Sequence, residues 1–287
     1  MTHVELAPAK INLSLRVLQR RQDGFHDVET LMVALRGPED VIRFDLAEGR
    51  GGIRLICDDP LLPVGGDNLI MRAIQVFSSR TGREFTGEIS LEKRIPSGAG
   101  LGGGSSDAAA TLRSMNTISG GGFSDADLCV MAAEIGADVA FFVNARPSVC
   151  TGRGEKVTLF PGRIPVREVL LLKPCFSVST AWAYSQWEGS MELPGMNCSS
   201  QSSPWGELCN DLERPVFAKH LVLAAMKSWL LDQAETEFAL MSGSGSTLFA
   251  ILKDGCSTEI LRERALMEFG ESCWGACASM EGKSSES

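Results

Sequence analysis

The segment Pro96-Ser97-Gly98-Ala99-Gly100-Leu101-Gly102-Gly103-Gly104-Ser105-Ser106 holds five glycines within seven positions. Glycine lets a backbone approach a ligand closely and take positive φ. Asp107-Ala108-Ala109-Ala110-Thr111-Leu112-Arg113-Ser114-Met115 follows at once and favours helix. Free amides at a helix start, together with the helix dipole, attract phosphate. A plain strand-to-helix turn would need fewer glycines, so the segment reads as a phosphate cradle. It is not a Walker loop, because Gly-x4-Gly-Lys-Ser/Thr does not occur. Gly98 to Gly103 satisfies the loose dinucleotide pattern Gly-x-Gly-x-x-Gly, and Asp125 lies about 22 residues later. A single match of that kind is weak. The flanking text is no run of strand–helix–strand units, and Asp125 reads as a helix cap beside Ser124.

Other groups able to do chemistry are scattered. Lys10 and Asn12 stand two residues apart in an alternating stretch. Asp138 precedes the apolar run Val139 to Val143, and Met241-Ser242-Gly243-Ser244-Gly245-Ser246 is a second glycine loop. Asp107 reads as a first-turn partner of a helix dipole, with a metal role unsupported. His3 and His220 read as surface residues without chemical company.

The elements that must position these groups are partly legible. Ile11, Leu13, Leu15 and Val17 alternate with Lys10, Asn12, Ser14 and Arg16, the period of a half-buried strand with a polar face. Gln22-Asp23-Gly24 is a turn, and Phe25-His26 follows it. Residues 41–46 and 53–57 read as strands, and Asp67-Asn68 as a capped helix start. Residues 88–95 read as a strand ending at Pro96, and 124–135 as a helix stopped by Gly136. Later, 167–172 and 247–252 read as strands, and 215–231 and 257–269 as helices. Residues 188–204 read as a flexible loop. The last ten residues are polar and small, so a tail from about 278 is expected to be disordered. No internal repeat is found.

Composition bounds the class. The chain has 287 residues, 44 % hydrophobic and 22 % charged, which fits one large or two ordinary domains with an apolar core. Its formal net charge of −9 argues against a general binder of nucleic acid or of anionic membrane, both of which need a basic surface. It leaves room for an anionic small substrate held by a local cluster of donors. The nine cysteines include no Cys-x-x-Cys pair, so reduced thiols in a cytoplasmic protein are expected. Met1-Thr2-His3-Val4-Glu5 shows no secretory pattern, and no uncharged apolar stretch approaches a membrane helix.

Ala7-Pro8-Ala9-Lys10-Ile11-Asn12-Leu13, Pro96 to Ala109 and Met241 to Phe249 resemble, in order and spacing, the three motifs of the GHMP small-molecule kinases. Further segments are similar to the branch of that family whose substrate carries a cytidylyl group. They are Arg21-Gln22-Asp23-Gly24-Phe25-His26, Asp67-Asn68-Leu69-Ile70, Gly136-Ala137-Asp138-Val139, Thr151-Gly152-Arg153-Gly154-Glu155 and Val178-Ser179-Thr180-Ala181-Trp182-Ala183-Tyr184. The likeness covers most of residues 5–252. It implies an α+β fold of two domains. The N-terminal one, to about residue 157, would be of the ribosomal protein S5 domain 2 type, and the ferredoxin-like C-terminal one would run from 158 to 287, with the active site in the cleft between them.

The resemblance also implies a reaction: ATP-dependent phosphorylation of the 2-hydroxyl of 4-diphosphocytidyl-2-C-methyl-D-erythritol, with Mg2+ accompanying ATP. Lys10 and Asp138 would be the catalytic pair, since an alcohol attacking a phosphate needs a proton acceptor and a nearby cation. Pro96, Ser97, Gly98, Ala99, Gly100, Leu101, Gly102, Gly103, Gly104, Ser105 and Ser106 would cradle the ATP phosphates, with Asn68 and Lys93 on the adenosine side. Gly243, Ser244 and Gly245 would hold the substrate diphosphate with backbone amides. Asn12, His26 and Thr180 would hydrogen-bond the substrate, and Phe25 and Tyr184 would sandwich the cytosine. No protein-borne metal site, nucleic-acid partner or membrane partner is implied, and the chain would act as monomer or homodimer. Two departures stand out: Phe25 where the family often has Tyr, and Ala140 where it often has Pro. The alternatives are a homoserine- or mevalonate-type kinase, a non-catalytic ligand-binding module on the same fold, and a dinucleotide-binding dehydrogenase.

Overall fold

The computed structural model of the chain describes residues 3–270 and 272–280. Contacts divide it into two units, each mixing helices and strands, as an α+β fold requires. One takes the chain up to Ala9, Glu39–Pro96 and Gly102–Ala145; the other takes Lys10–Pro38, Ser97–Leu101 and the chain from Arg146. Two long strands, β1 (His3–Arg20) and β2 (His26–Glu48), each contribute residues to both units.

The first unit adds β3 (Gly52–Cys57), α1 (Leu69–Thr81), β4 (Phe85–Glu92), α2 (Gly103–Ile118), α3 (Asp125–Ile135) and α4 (Val139–Asn144). β4 pairs antiparallel with β2, Val41 opposite Glu92 through Glu48 opposite Phe85, and parallel with β3. Phe85, Ile89 and Leu91 turn inward from β4. α2 buries Ala108, Ala109 and Ala110 completely. Such small side chains let it pack closely on α1 and α4. Asn68 caps α1, and Gly82 ends it in the left-handed region at φ 68°. α3 starts on a capping box: the Ser124 side chain accepts from the Asp127 N–H, and Asp127 reaches back to Ser124 N–H. The cap is therefore Ser124, and Asp125 is the first helical residue.

The second unit adds β5 (Ser148–Gly152), β6 (Lys156–Leu159), β7 (Glu168–Lys173), α5 (Thr180–Ser185), β8 (Gln201–Ser203), β9 (Gly206–Asn210), α6 (Glu213–Lys219), α7 (Leu221–Leu231), β10 (Thr236–Met241), β11 (Leu248–Leu252), α8 (Thr258–Phe269) and β12 (Trp274–Met280). Its strands run β10-β11-β7-β12-β2-β1-β9-β8, with β5 on β2 and β6 on β5. Val169–Leu172 and Leu248–Leu252 are fully buried, which is why they read as unbroken apolar runs.

Several expectations are corrected here. Residues 188–204 do not form one loose loop. Gln201–Ser203 pairs with β9, Met196 is buried, and the Gln201 amide accepts from Ala239 N and donates to Ala239 O. The helix expected over 215–231 is two helices, broken at His220 by an extended backbone. His220 has company: its ring stacks on Phe176 at 4.8 Å. Residues 278–280 belong to β12, whose Ala278 and Met280 are buried; the rest of the tail, 281–287, and Met1-Thr2 lie outside the described residues. No disulfide links the nine cysteines, all of them among the described residues. Among those residues no helix is long and apolar enough to cross a membrane.

Candidate active site

The polar face of β1 is not a wet one. Lys10 and Asn12 are each only 3 % exposed. The Lys10 ammonium donates to Asn12 Oδ1 at 2.6 Å, and Asn12 Nδ2 donates to Thr30 Oγ1 on β2 at 2.8 Å. Thr30 Oγ1 in turn donates to Ser14 O at 2.6 Å. The chain of bonds fixes the Asn12 amide and holds the ammonium in place.

Within the same unit, three separate sequence segments converge on this strand. Lys10 N donates to Leu101 O at 2.9 Å, Thr247 N to Ala99 O at 3.2 Å, and Ser242 Oγ to Gly100 O at 3.0 Å. Gly100 has φ +77°, and a Cβ there would fall 2.2 Å from Ser242 O. Only glycine fits such an approach. Gly243 comes equally near the cation: a Cβ there would lie 3.4 Å from Lys10 Nζ and 3.5 Å from Asn12 Oδ1. Ser244 Oγ shares a hydrogen bond with Thr180 Oγ1 at 2.8 Å, and Ser177 Oγ donates to Ser97 O. Lys10, Asn12, the 97–101 half of the first glycine loop, Thr180 and Gly243-Ser244-Gly245 are thus linked through one set of contacts, in which Asn12 and Gly243 lie nearest the ammonium.

The two rings expected to hold cytosine have different surroundings. The ring facing Tyr184 is His26, at 5.8 Å and 24°, with Trp187 set edge-on to His26 at 5.7 Å. Phe25 is 56 % exposed, with the Arg153 guanidinium 5.4 Å from its ring centre. It is no core residue. Its place is set by an Asx turn in which Phe25 N donates to Asp23 Oδ1.

The other half of the glycine loop belongs to the first unit. Gly102 takes the N-cap of α2 in the left-handed region without a side-chain capping bond, so no side chain closes over the first-turn amides. Ser106 Oγ is buried there without a hydrogen-bond partner. Pro96 follows Arg94 and Ile95, whose amides both donate to Asp40 Oδ1, at 2.6 and 2.9 Å. Lys93 Nζ is held by Asp40 and, at 3.0 Å, by Asp107. A Cβ on Gly103 would meet Ile95, Lys93 and Asp40 between 3.1 and 3.3 Å. Burial works against the Lys93 ammonium, but Asp107 and Asp40 outweigh it and raise its pKa. Burial, with the neighbouring Asp40 charge, raises the Asp107 carboxyl to about 7 against the pull of Lys93. Asp107 is therefore part of a buried charge cluster, not a dipole partner.

Asn68 is also engaged. Its Oδ1 accepts from Ile70 N and its Nδ2 donates to Pro63 O. Asp138 is the N-cap residue of α4 and makes no side-chain capping bond; the following residues Val139–Val143 are all buried. Ala140, inside that helix, is buried too. Asp40, Asn210, Glu213 and Lys227 escaped the sequence reading. Their only sequence signal is the polar group Asn210-Asp211-Leu212-Glu213 ahead of a helix.

Residues 68–146 match the model of the GHMP kinases N terminal domain. The crystal structure of a homoserine kinase from Cytophaga hutchinsonii has the same fold, at TM-score 0.64 and 17 % identity over 98 % of this chain and 95 % of that one. Match and fold are of the GHMP kinase type. Likeness then narrows it. A 4-diphosphocytidyl-2-C-methyl-D-erythritol kinase of Methylacidiphilum infernorum is 38 % identical over 271 residues, 93 % of each chain. A crystal structure of 4-(cytidine 5'-diphospho)-2C-methyl-D-erythritol kinase superposes with TM-score 0.73 and 30 % identity, covering 98 % of this chain and all of that one. The chain belongs to the 4-diphosphocytidyl-2-C-methyl-D-erythritol kinase family.

Proposed function

We propose that this protein transfers the γ-phosphoryl group of Mg-bound ATP to the 2-hydroxyl of 4-diphosphocytidyl-2-C-methyl-D-erythritol, giving the 2-phosphate and ADP, in the non-mevalonate route to isoprenoid precursors. The observation that carries the reading is the approach of Asn12 and Gly243 to the buried Lys10 ammonium, in a chain 38 % identical to an enzyme of that name. Asp138 accepts the hydroxyl proton as the oxygen–phosphorus bond forms and the bond to the β-phosphate oxygen breaks. Lys10 stabilises charge at the attacking oxygen. The amides of 96–106 and the start of α2 hold the ATP phosphates. The partnerless Ser106 hydroxyl supports that role, as a buried polar atom in want of a ligand. Lys93 and Asn68 line the adenosine side; with both polar heads engaged, their part is to hold its walls.

Gly243, Ser244 and Gly245 take the substrate diphosphate. Asn12, His26 and Thr180 orient the alcohol and base, and Phe25 and Tyr184 supply aromatic faces to cytosine. The division at 157, a cytoplasmic location, and a monomer or homodimer complete the proposal. Incubation with Mg-ATP and the cytidylyl alcohol, followed by mass spectrometry, tests it. ADP and a singly phosphorylated product are expected. Turnover with homoserine or mevalonate and none with the cytidylyl alcohol overturns the substrate.

A further inference from the structure

Asn210-Asp211-Leu212-Glu213 joins β9 to α6, and its polar side chains look two ways. Toward β1, Asp211 N donates to Leu15 O at 2.9 Å, and Asp211 Oδ2 accepts from Val17 N at 2.9 Å. β9 itself pairs with β1, Ser14 opposite Cys209 and Leu15 opposite Asn210. Toward the second glycine loop, Asn210 Nδ2 donates to Met241 O at 2.6 Å and to Gly243 O at 2.8 Å. Glu213 Oε1 accepts from Met241 N at 2.9 Å, and its other oxygen pairs with Lys227 Nζ at 2.6 Å. The same short segment therefore grips the strand that carries Lys10 and the loop that meets it. Gly243 is near enough to Lys10 for a Cβ to lie 3.4 Å from the ammonium.

We propose that Asn210, Asp211 and Glu213, with Lys227, are positioning residues that set the 241–245 loop against Lys10 and so govern substrate binding. The inference rests on the substrate-binding role given above to Gly243–Gly245. Stability alone does not account for the Glu213–Lys227 pair. Both side chains are 1 % exposed, and well-packed apolar residues commonly replace such a pair without loss of stability. What apolar residues cannot do is accept the Met241 amide proton. Asn210 likewise satisfies the carbonyl of Met241, the last residue of β10, and that of Gly243 in the turn beyond it.

The test is the double variant Glu213→Leu/Lys227→Met, with Asn210→Asp as a second route. The double variant should lose only a few degrees of melting temperature, from the one buried amide left unpaired. Amide exchange over Met241–Gly245 should rise in either variant while α7 stays protected. The KM for the cytidylyl substrate should rise about 10–100-fold, with the KM for ATP within about two-fold of the parent. Unchanged exchange at 241–245 overturns the clamp, whatever the substrate. Faster exchange with both KM values unchanged overturns its role in binding. A parent protein that does not turn over the cytidylyl alcohol overturns the substrate reading instead, and the exchange result then decides the clamp by itself.

Discussion

Asp138 owes its place to packing that it does not supply, because the five residues after it are all buried. Asp138→Asn keeps the shape and removes the proposed proton acceptor. Steady-state kinetics should show kcat lower by about 10²–10⁴-fold, with the KM for ATP nearly unchanged; near-normal kcat removes it from the reaction. Phe25 is the opposite kind of residue, more than half exposed. Phe25→Ala should raise the KM for the cytidylyl substrate about ten-fold, a stacked base being worth ~1–3 kcal/mol, and should leave the melting temperature alone. Tyr184→Ala should lower both affinity and melting temperature, since that ring also packs on the core and on His26. Asp107 carries a pH dependence. Its pKa is raised from 3.8 to about 7 by burial first, so the folded protein binds that proton more tightly than the unfolded chain. The group's stabilising contribution is thus complete at low pH and is lost as pH rises through about 7. Thermal scans should show the melting temperature of the parent falling relative to Asp107→Asn between about pH 5 and pH 8; parallel curves would place the proton elsewhere.

At the scale of elements, the first glycine loop is held by backbone on both sides. Gly100→Ala forces a side chain into the left-handed region, costing about 1–2 kcal/mol, and overlaps Ser242 O. Calorimetry should show a lower melting temperature and weaker ATP binding; an unchanged protein would mean that the two loops part freely. This loop was legible in the sequence because its composition is itself the mechanism. β1 was legible by its two-residue period, but its polar face was misjudged. Lys10 and Asn12 are buried by neighbours far along the chain, and no local period reports them. The cluster of Asp40, Lys93 and Asp107 was invisible for a related reason: Asp40 lies 53 residues from Lys93. The break at His220 was missed because α6 and α7 bury Val216, Phe217, Leu223 and Leu230 in a pattern that reads as one continuous helix. Residues 188–204 read as flexible because polar, small residues dominate them, yet one glutamine side chain bracketing Ala239 ties the segment down.

For the whole molecule, an acidic chain that handles two polyanionic substrates must attract them locally. On the proposed reading the means are backbone amides and a few buried cations, so the net charge of −9 is no obstacle. The interleaving of the two units bears on something else, the making of the protein. All of the first unit has left the ribosome once Ala145 is clear. The second cannot close so early. β1 waits for β9, where Leu15 meets Asn210, and β2 waits for β12, where Arg36 meets Ser279. Chains of this length commonly fold through partly formed states whose open strand edges invite aggregation. Ribosome-bound chains halted with residue 145 exposed should protect the amides of α1 to α4 more strongly than those of Lys10–Pro38, where β1 and β2 have only each other to pair with; equal protection would show that this strand pair needs no later strand. The strand that bears Lys10 is thus among the first parts translated and among the last to gain all of its partners, an interval in which a chaperone of nascent chains would find it open.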